Sequence, residues 1–271
     1  MNQSIRDHFK PYQPSIAFSG EEAVIYEEKS PADQIKDYVH CYWRLYTPEP
    51  LKESFKYRVV SDGCIDILFE QSASENIFVT GFSTQFLEYD LGTSFDYLGI
   101  RFLPTGFPAL FDRAASELTN EFLPLVEVLP EFHKVFIRAF RDLMELSLAI
   151  GQFDDLLKDQ LSNLPTASEV DPRLLSAMHV ILQSGGRIPL SQLDVGVSER
   201  QLRRLFEYYF GESPKTFARI IRFQHILGAK PSLESLKNNK IFYDGGYYDQ
   251  AHFIKEFKAF YGVTPNKAFG R

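Results

Sequence analysis

With 271 residues, 44% of them hydrophobic and 24% charged, the chain has the composition of a globular protein long enough for two ordinary domains. No apolar run approaches the roughly 20 residues of a membrane-spanning helix, and the start MNQSIRDHFKPYQPS lacks the charged-then-apolar pattern of a secretory signal, so a cytoplasmic location without a membrane partner is expected. The net charge of −7 argues against phosphate binding on average, but residues 187–271 hold 14 Lys+Arg against 8 Asp+Glu while residues 1–186 hold 15 against 28, an acidic body with a basic tail.

Up to about residue 105 the chain reads as short strands. Tyr57–Val60, Ile65–Phe69, Ile77–Thr80 and Tyr97–Phe102 are rich in β-branched and aromatic residues and are separated by Gly, Asp and Ser, which suggests a sandwich or barrel. From Pro108 to about Leu161 the hydrophobic period lengthens towards helical, as in Val135, Phe136, Ala139, Phe140, Leu143 and Met144. These helices are expected either to close one side of the barrel or to form a dimer surface. The stretch Leu164–Pro172, rich in Pro, Thr and Ser and without period, marks a domain boundary.

Beyond it everything reads as helix and turn, beginning with Leu174, Leu175, Met178, Ile181 and Leu182 on one face and ending at Gly185-Gly186. The expected fold is therefore α+β in two domains: a β-barrel- or sandwich-like domain with flanking helices over residues 1–165, and an all-α domain over 171–271.

The tail contains a repeat at an offset of 51 residues, with Ser198–Pro214 lying over Asp249–Pro265. Ser198 and Asp249 are N-cap residues, and Leu202/Phe253, Phe206/Phe257 and Tyr209/Phe260 are matching apolar positions at helical spacing. Gly211 and Gly262 stop the two helices in the left-handed conformation, and Ser213-Pro214 and Thr264-Pro265 open the next ones with proline at the first position. In the first copy the apolar stripe leaves Arg200, Arg203 and Arg204 on the opposite face. Such a face is either merely solvated or suited to the major groove, where guanidinium pairs bidentately with guanine O6 and N7; the duplication favours the second reading.

The run Val197-Ser-Glu-Arg-Gln-Leu-x-Arg-x-Phe206, the Gly211-x-Ser-Pro214 turn, the helix around Phe217–Phe223 and then Gly246–Phe253, Phe257 and Gly262-Val-Thr-Pro265 resemble the DNA-binding domain of AraC/XylS transcriptional regulators. The resemblance covers about 171–271. It implies two helix-turn-helix units joined by one helix and entering successive major grooves of double-stranded DNA, with base-facing side chains at Arg200, Arg203 and Arg204 in the first unit and Gln250, His252 and Lys255 in the second. Lys215 and Arg219, in the first turns of the helix opened by Pro214, then become phosphate contacts. The chain departs from the family in two places. Ser191–Ser198 is about two residues short, which truncates the first positioning helix. In the second unit the corresponding face reads Ala251, Ile254, Lys255 and Lys258, with Phe242 where the family has a small residue, so base readout there is expected to be weak.

Tyr38–Trp43, Tyr57–Phe69 and Leu98–Gly106 resemble an uncharacterised N-terminal domain fused to a subgroup of these regulators, which implies small-molecule sensing or homodimerisation but no particular effector. Asp62, Asp66 and Arg101 are candidates for a polar ligand pocket, although Asp62-Gly63 is also a turn signal and Arg101 a natural partner for a carboxylate. Trp43, Tyr42 and Tyr46 form either an aromatic wall or core packing. Cys41 and Cys64 read as buried free thiols, His40 and His133 as isolated histidines, so no metal site is expected. With no GxSxG, Walker loop or GxGxxG, nothing calls for a catalytic residue, a cofactor or an enzyme.

Overall fold

The computed structural model describes residues 5–13, 24–71, 76–140, 146–164, 170–229 and 245–269. Leu143, Met144, Phe242 and most of the expected boundary segment lie outside the described residues. The N-terminal half is built on a six-stranded antiparallel sheet in the order β1 (Ile25–Lys29), β2 (Val39–Tyr46), β7 (Asp96–Phe102), β4 (Ile65–Glu70), β5 (Ile77–Thr80), β8 (Phe122–Pro124). A second, two-stranded sheet pairs β3 (Lys56–Val59) with β6 (Leu87–Asp90). The two expected strands nearest the middle, β4 and β7, are buried almost throughout, because they are covered on both faces.

On one face of the large sheet lie the helices α1 (Gly106–Phe111), α2 (Leu125–Val128), α3 (Pro130–Phe140) and α4 (Leu146–Ser162). Their core joins Ile67, Phe69, Ile100 and Phe102 of the sheet to Phe107, Phe136 and Phe153. Of the two roles anticipated for this helical stretch, closing one side of the sheet is the one these contacts fill, with Phe136 1% exposed and Val135 on the outer side at 48%. The stretch is not continuously helical, since it contains the short edge strand β8. The other face carries a smaller cluster of Cys41, Trp43, Leu45 and Phe95 against Phe55, Tyr57 and Leu91 of the two-stranded layer. A sandwich-like domain results, as its alternating short strands suggest.

The C-terminal half consists of α5 (Pro172–Gln183), α6 (Glu199–Tyr209), α7 (Pro214–Ala229), α8 (Gln250–Tyr261) and α9 (Pro265–Phe269). Helix α5 begins on Asp171, whose side chain accepts from the Arg173 amide, and ends before Gly185 and Gly186, both at positive φ. Leu174, Met178 and Ile181, fully buried, meet Phe206, Phe217, Phe223 and Phe257 in one core.

That core does not stop at the helical half. Ile5 and Phe9, from the first residues, and Val60, Cys64, Phe82 and Leu103, from the sheet half, belong to the same cluster. Polar contacts fix the seam. Gln13 donates to Asp62 Oδ2 (2.7 Å) and to the Val60 carbonyl, and accepts from the Val60 amide. Gln224 of α7 donates to the Ser61 carbonyl (2.8 Å) and accepts from the Tyr12 amide (2.7 Å). These groups are buried, so every such bond removes a desolvation cost that an unpaired amide would carry.

Candidate functional site

The two halves of the repeat fold alike. In the first, Ser198 Oγ accepts from the Gln201 amide while Gln201 Oε1 accepts from the Ser198 amide, a reciprocal cap of α6. In the second, Asp249 Oδ1 accepts from the His252 amide at 2.7 Å. Leu202 and Phe206 in α6, and Phe253, Phe257 and Phe260 in α8, point into the core. Gly211 (φ +97°) and Gly262 (φ +93°) take the left-handed conformation the stop requires, and α7 and α9 each begin on proline.

Arg200, Arg203 and Arg204 are exposed on the outer face of α6. Arg203 is tied to Glu207 one turn away (2.8 Å), a surface pair worth roughly 0.3–0.5 kcal/mol and hence easily exchanged for a phosphate or base. Gln250, His252 and Lys255 are exposed on α8, beside Ile254 and Lys258. Between α7 and α8 runs a groove of about 650 Å³ on which Lys215, Arg219, Arg222, His252 and Lys255 converge. The structure thus brings the two expected phosphate contacts together with the exposed face of the second unit.

Arg219 is not free in that groove. Its Nε donates to Glu256 Oε2 at 2.5 Å and its guanidinium lies 5.2 Å over the Phe260 ring. Arg222 in turn donates to the Gly186 carbonyl (2.8 Å) and stacks over Tyr247. The groove wall is therefore cationic but braced. Glu256, 3% exposed, was invisible to motif reasoning because its partner lies 37 residues away.

Ahead of α6, where a positioning helix would stand, the chain makes only a 3-10 turn at Leu190–Gln192. The corresponding segment before α8 lies outside the described residues.

In the sheet half a cavity of about 120 Å³ sits between the two sheets, lined by Trp43, Tyr57, Tyr89, Tyr97, Asp66 and Arg101 among others. Trp43 contributes to this wall and to the core of that layer, and its Nε1 is buried without a hydrogen-bond partner. Tyr42 faces the opposite side, stacked on Phe153 and bonded to Asp154. Arg101 grips Asp66 through Nε and Nη2 (2.9–3.3 Å). Burial raises the Asp66 carboxyl, against the opposing pull of Arg101. Asp62 stands apart from the cavity: its carboxylate is held by Gln13 and the Cys64 amide, with Arg101 at 3.9 Å. Of the three candidates only Asp66 and Arg101 line the cavity, while Asp62 serves the seam.

One loop links cavity and helices. Thr80 and Tyr89 line the cavity, and Gly81–Phe86 between them reaches both ends of the repeat. Phe82 stacks on Phe210 after α6, and the Phe86 amide donates to the Ala259 carbonyl near the end of α8. The sheet half also holds α6 through Tyr208 Oη, which donates to Asp112 at 2.6 Å, and through Thr119 Oγ1, which donates to the Gly211 carbonyl.

A sandwich domain followed by a duplicated, capped helical unit with a basic face defines a two-domain α+β protein with a helical C-terminal region. Residues 194–271 match the family described as a helix-turn-helix domain (HTH_18), and residues 27–124 match a domain of unknown function (DUF6597). The C-terminal region thus matches a helix-turn-helix domain and the region before it a domain without assigned function. Among solved structures the chain is similar to ToxT from Vibrio cholerae O395, at 11% identity over 92% of this chain and 98% of that one, TM-score 0.39. It is similar also to ToxT from the same source bound to (E)-4-(8-methylnaphthalen-1-yl)but-3-enoic acid (13%, 91% and 97%, 0.40) and to unsaturated fatty acid-bound wild-type ToxT from strain SCE256 (11%, 91% and 94%, 0.36). No curated protein matches the chain. Among the described residues no helix is long and apolar enough to cross a membrane.

Proposed function

We propose that the chain is a sequence-specific transcriptional regulator that binds double-stranded DNA as a homodimer in the cytoplasm and responds to a small molecule held in its N-terminal domain. The observation that carries this reading is the pair of equivalent capped helices whose outer faces are polar and basic. Arg200, Arg203 and Arg204 read bases in the first groove, Gln250, His252 and Lys255 make the weaker contacts of the second, and Lys215 and Arg219 meet phosphates. For Arg219 that contact requires exchange of its bond to Glu256. Residues 1–165 and 171–271 act as the sensing and DNA-binding parts, and the cavity beside Asp66 and Arg101 receives the effector. The loop Gly81–Phe86 gives that cavity a mechanical connection to both helices.

The test is selection of bound duplexes from a random pool by the full chain, followed by titration at several salt concentrations. A protected site of about two major-groove turns with a steep salt dependence is expected. Changing Arg200, Arg203 and Arg204 to Ala should relax selection in one half of that site, each good bidentate pair accounting for roughly 1–3 kcal/mol of discrimination. Absence of a selected motif, or selection unaltered by the triple change, would sink the reading. The 3-10 turn before α6 favours one competing interpretation, a degenerate unit that serves as a protein-interaction module. Normal regulation by the triple variant in cells would establish that alternative.

A further inference from the structure

We propose that Glu28, His40 and Cys41 form a binding site for a zinc-class divalent cation at one end of the β1–β2 pair, away from the DNA face and next to the cavity wall, since Arg101 and Trp43, the cross-strand partners of Cys41 and Glu28, line the cavity. One ligand atom from each of the three lies within 4.8 Å of the other two, and no other group of three such atoms is this close among the described residues.

Consecutive residues of a regular strand point to opposite faces, so His40 and Cys41 ought not to meet. A bulge resolves this. The partner of Val39 in β7 is Phe102 and that of Cys41 is Arg101, which leaves His40 as the extra residue. Cys41 lies with Trp43 and Leu45 on the face towards the two-stranded sheet. Glu28 and Tyr26, whose cross-strand partners are Trp43 and Leu45, project from β1 on that same face.

The donor set selects the ion. A thiolate with an imidazole suits zinc and its neighbours, whereas calcium and magnesium require oxygen ligands. Three protein ligands leave a fourth position open. Tetrahedral coordination brings such donors to about 3.3–3.8 Å from one another, so binding requires a closure of up to roughly 1 Å among the three side chains. Two features fit such an ion. The buried His40 Nδ1 has no hydrogen-bond partner. Tyr26 Oη donates to Glu28 Oε1 at 2.6 Å, the kind of outer contact that orients a ligating carboxylate and leaves its second oxygen available. On binding, the Cys41 thiol loses its proton to solvent and the sulfur takes the cation.

The experiment uses the full chain, freed of metal with a chelator and titrated with Co²⁺, whose spectrum reports a thiolate ligand where Zn²⁺ is silent. One equivalent should produce a thiolate-to-cobalt charge-transfer band that Zn²⁺ then abolishes. The band should be lost in Cys41→Ser and retained in Cys64→Ser. Glu28→Gln, a surface change with little effect on folding, should weaken Co²⁺ binding at least tenfold, and Tyr26→Phe about tenfold, at the low end of outer-contact losses. No band at one equivalent, a band that survives Cys41→Ser, or wild-type affinity in Glu28→Gln overturns the proposal.

Discussion

Phe82 and Phe210 lie face to face, ring centroids 4.5 Å apart and planes inclined by 23°, so the loop after β5 and the residue that ends α6 share one buried contact. Both rings are 2% exposed. Truncating either removes a packed aromatic, for which core precedents give about 3–5 kcal/mol. Phe82→Ala should lower the urea midpoint accordingly while leaving the basic face of α6 chemically intact. If the contact transmits the state of the cavity, the variant should also bind DNA with the same affinity whether or not an effector is present. A stability change below about 1 kcal/mol would show that the two halves do not depend on this stack.

How much of this was legible in the sequence follows from the range of the interactions. Strands β4, β5 and β7 and helices α5, α6 and α8 carry their signals locally, as alternation, 3.6-residue stripes, caps and stop glycines, and so are readable from single segments. Strand β1, reading Ile-Tyr-Glu-Glu-Lys, is an edge strand whose charges mask its pairing, and β8 is three residues long and ends in proline. The arginines of α6 were visible because they share one helix face. Glu256 with Arg219, and Gln13 with Asp62, were not, because their partners lie 37 and 49 residues away and only the tertiary fold joins them.

Gly262 closes α8 with φ +93°, and a methyl group there would lie 2.8 Å from the Phe86 ring. Gly262→Ala thus faces two separate penalties: roughly 1–2 kcal/mol of left-handed backbone strain, and displacement of Phe86 from its place beside α8. A double-mutant cycle separates them. Phe86→Ala in the Gly262→Ala background should recover the steric part and leave the backbone part. Strict additivity of the two unfolding free energies would refute the close approach.

Arg101 and Asp66 form a bidentate pair with side chains 5% and 12% exposed, beside the cavity. Removing one partner leaves an uncompensated buried charge, whereas replacing both with apolar groups does not. Arg101→Met should therefore cost about 3–5 kcal/mol in chemical denaturation, since Asp66 and Asp62 then face each other without a cation. Arg101→Met combined with Asp66→Leu should be markedly more stable than Arg101→Met alone. If the double variant is the less stable, the pair is contributing more than its own neutralisation.

Glu256 and Arg219 should respond in opposite ways to removal, because one is buried and the other half-exposed, their side chains 2% and 39% accessible. Arg219→Ala leaves the buried Glu256 carboxylate with only His252 Nε2, 3.9 Å away, as an ion-pair partner among the described residues, and is expected to destabilise the chain by up to about 3–5 kcal/mol, the cost of a broken buried pair. Glu256→Gln strands nothing, since Arg219 can turn into the groove with Lys215 and Lys255 and be solvated there. That variant should lose little stability and gain a free cation on the phosphate-facing side. Its non-specific DNA affinity should rise, and the slope of log K against log salt should steepen by up to about 0.9, the increment for one further phosphate contact. Both quantities come from one set of titrations with random-sequence duplex at four salt concentrations. An unchanged slope in Glu256→Gln would mean that Arg219 is a brace between α7 and α8 and never a phosphate ligand.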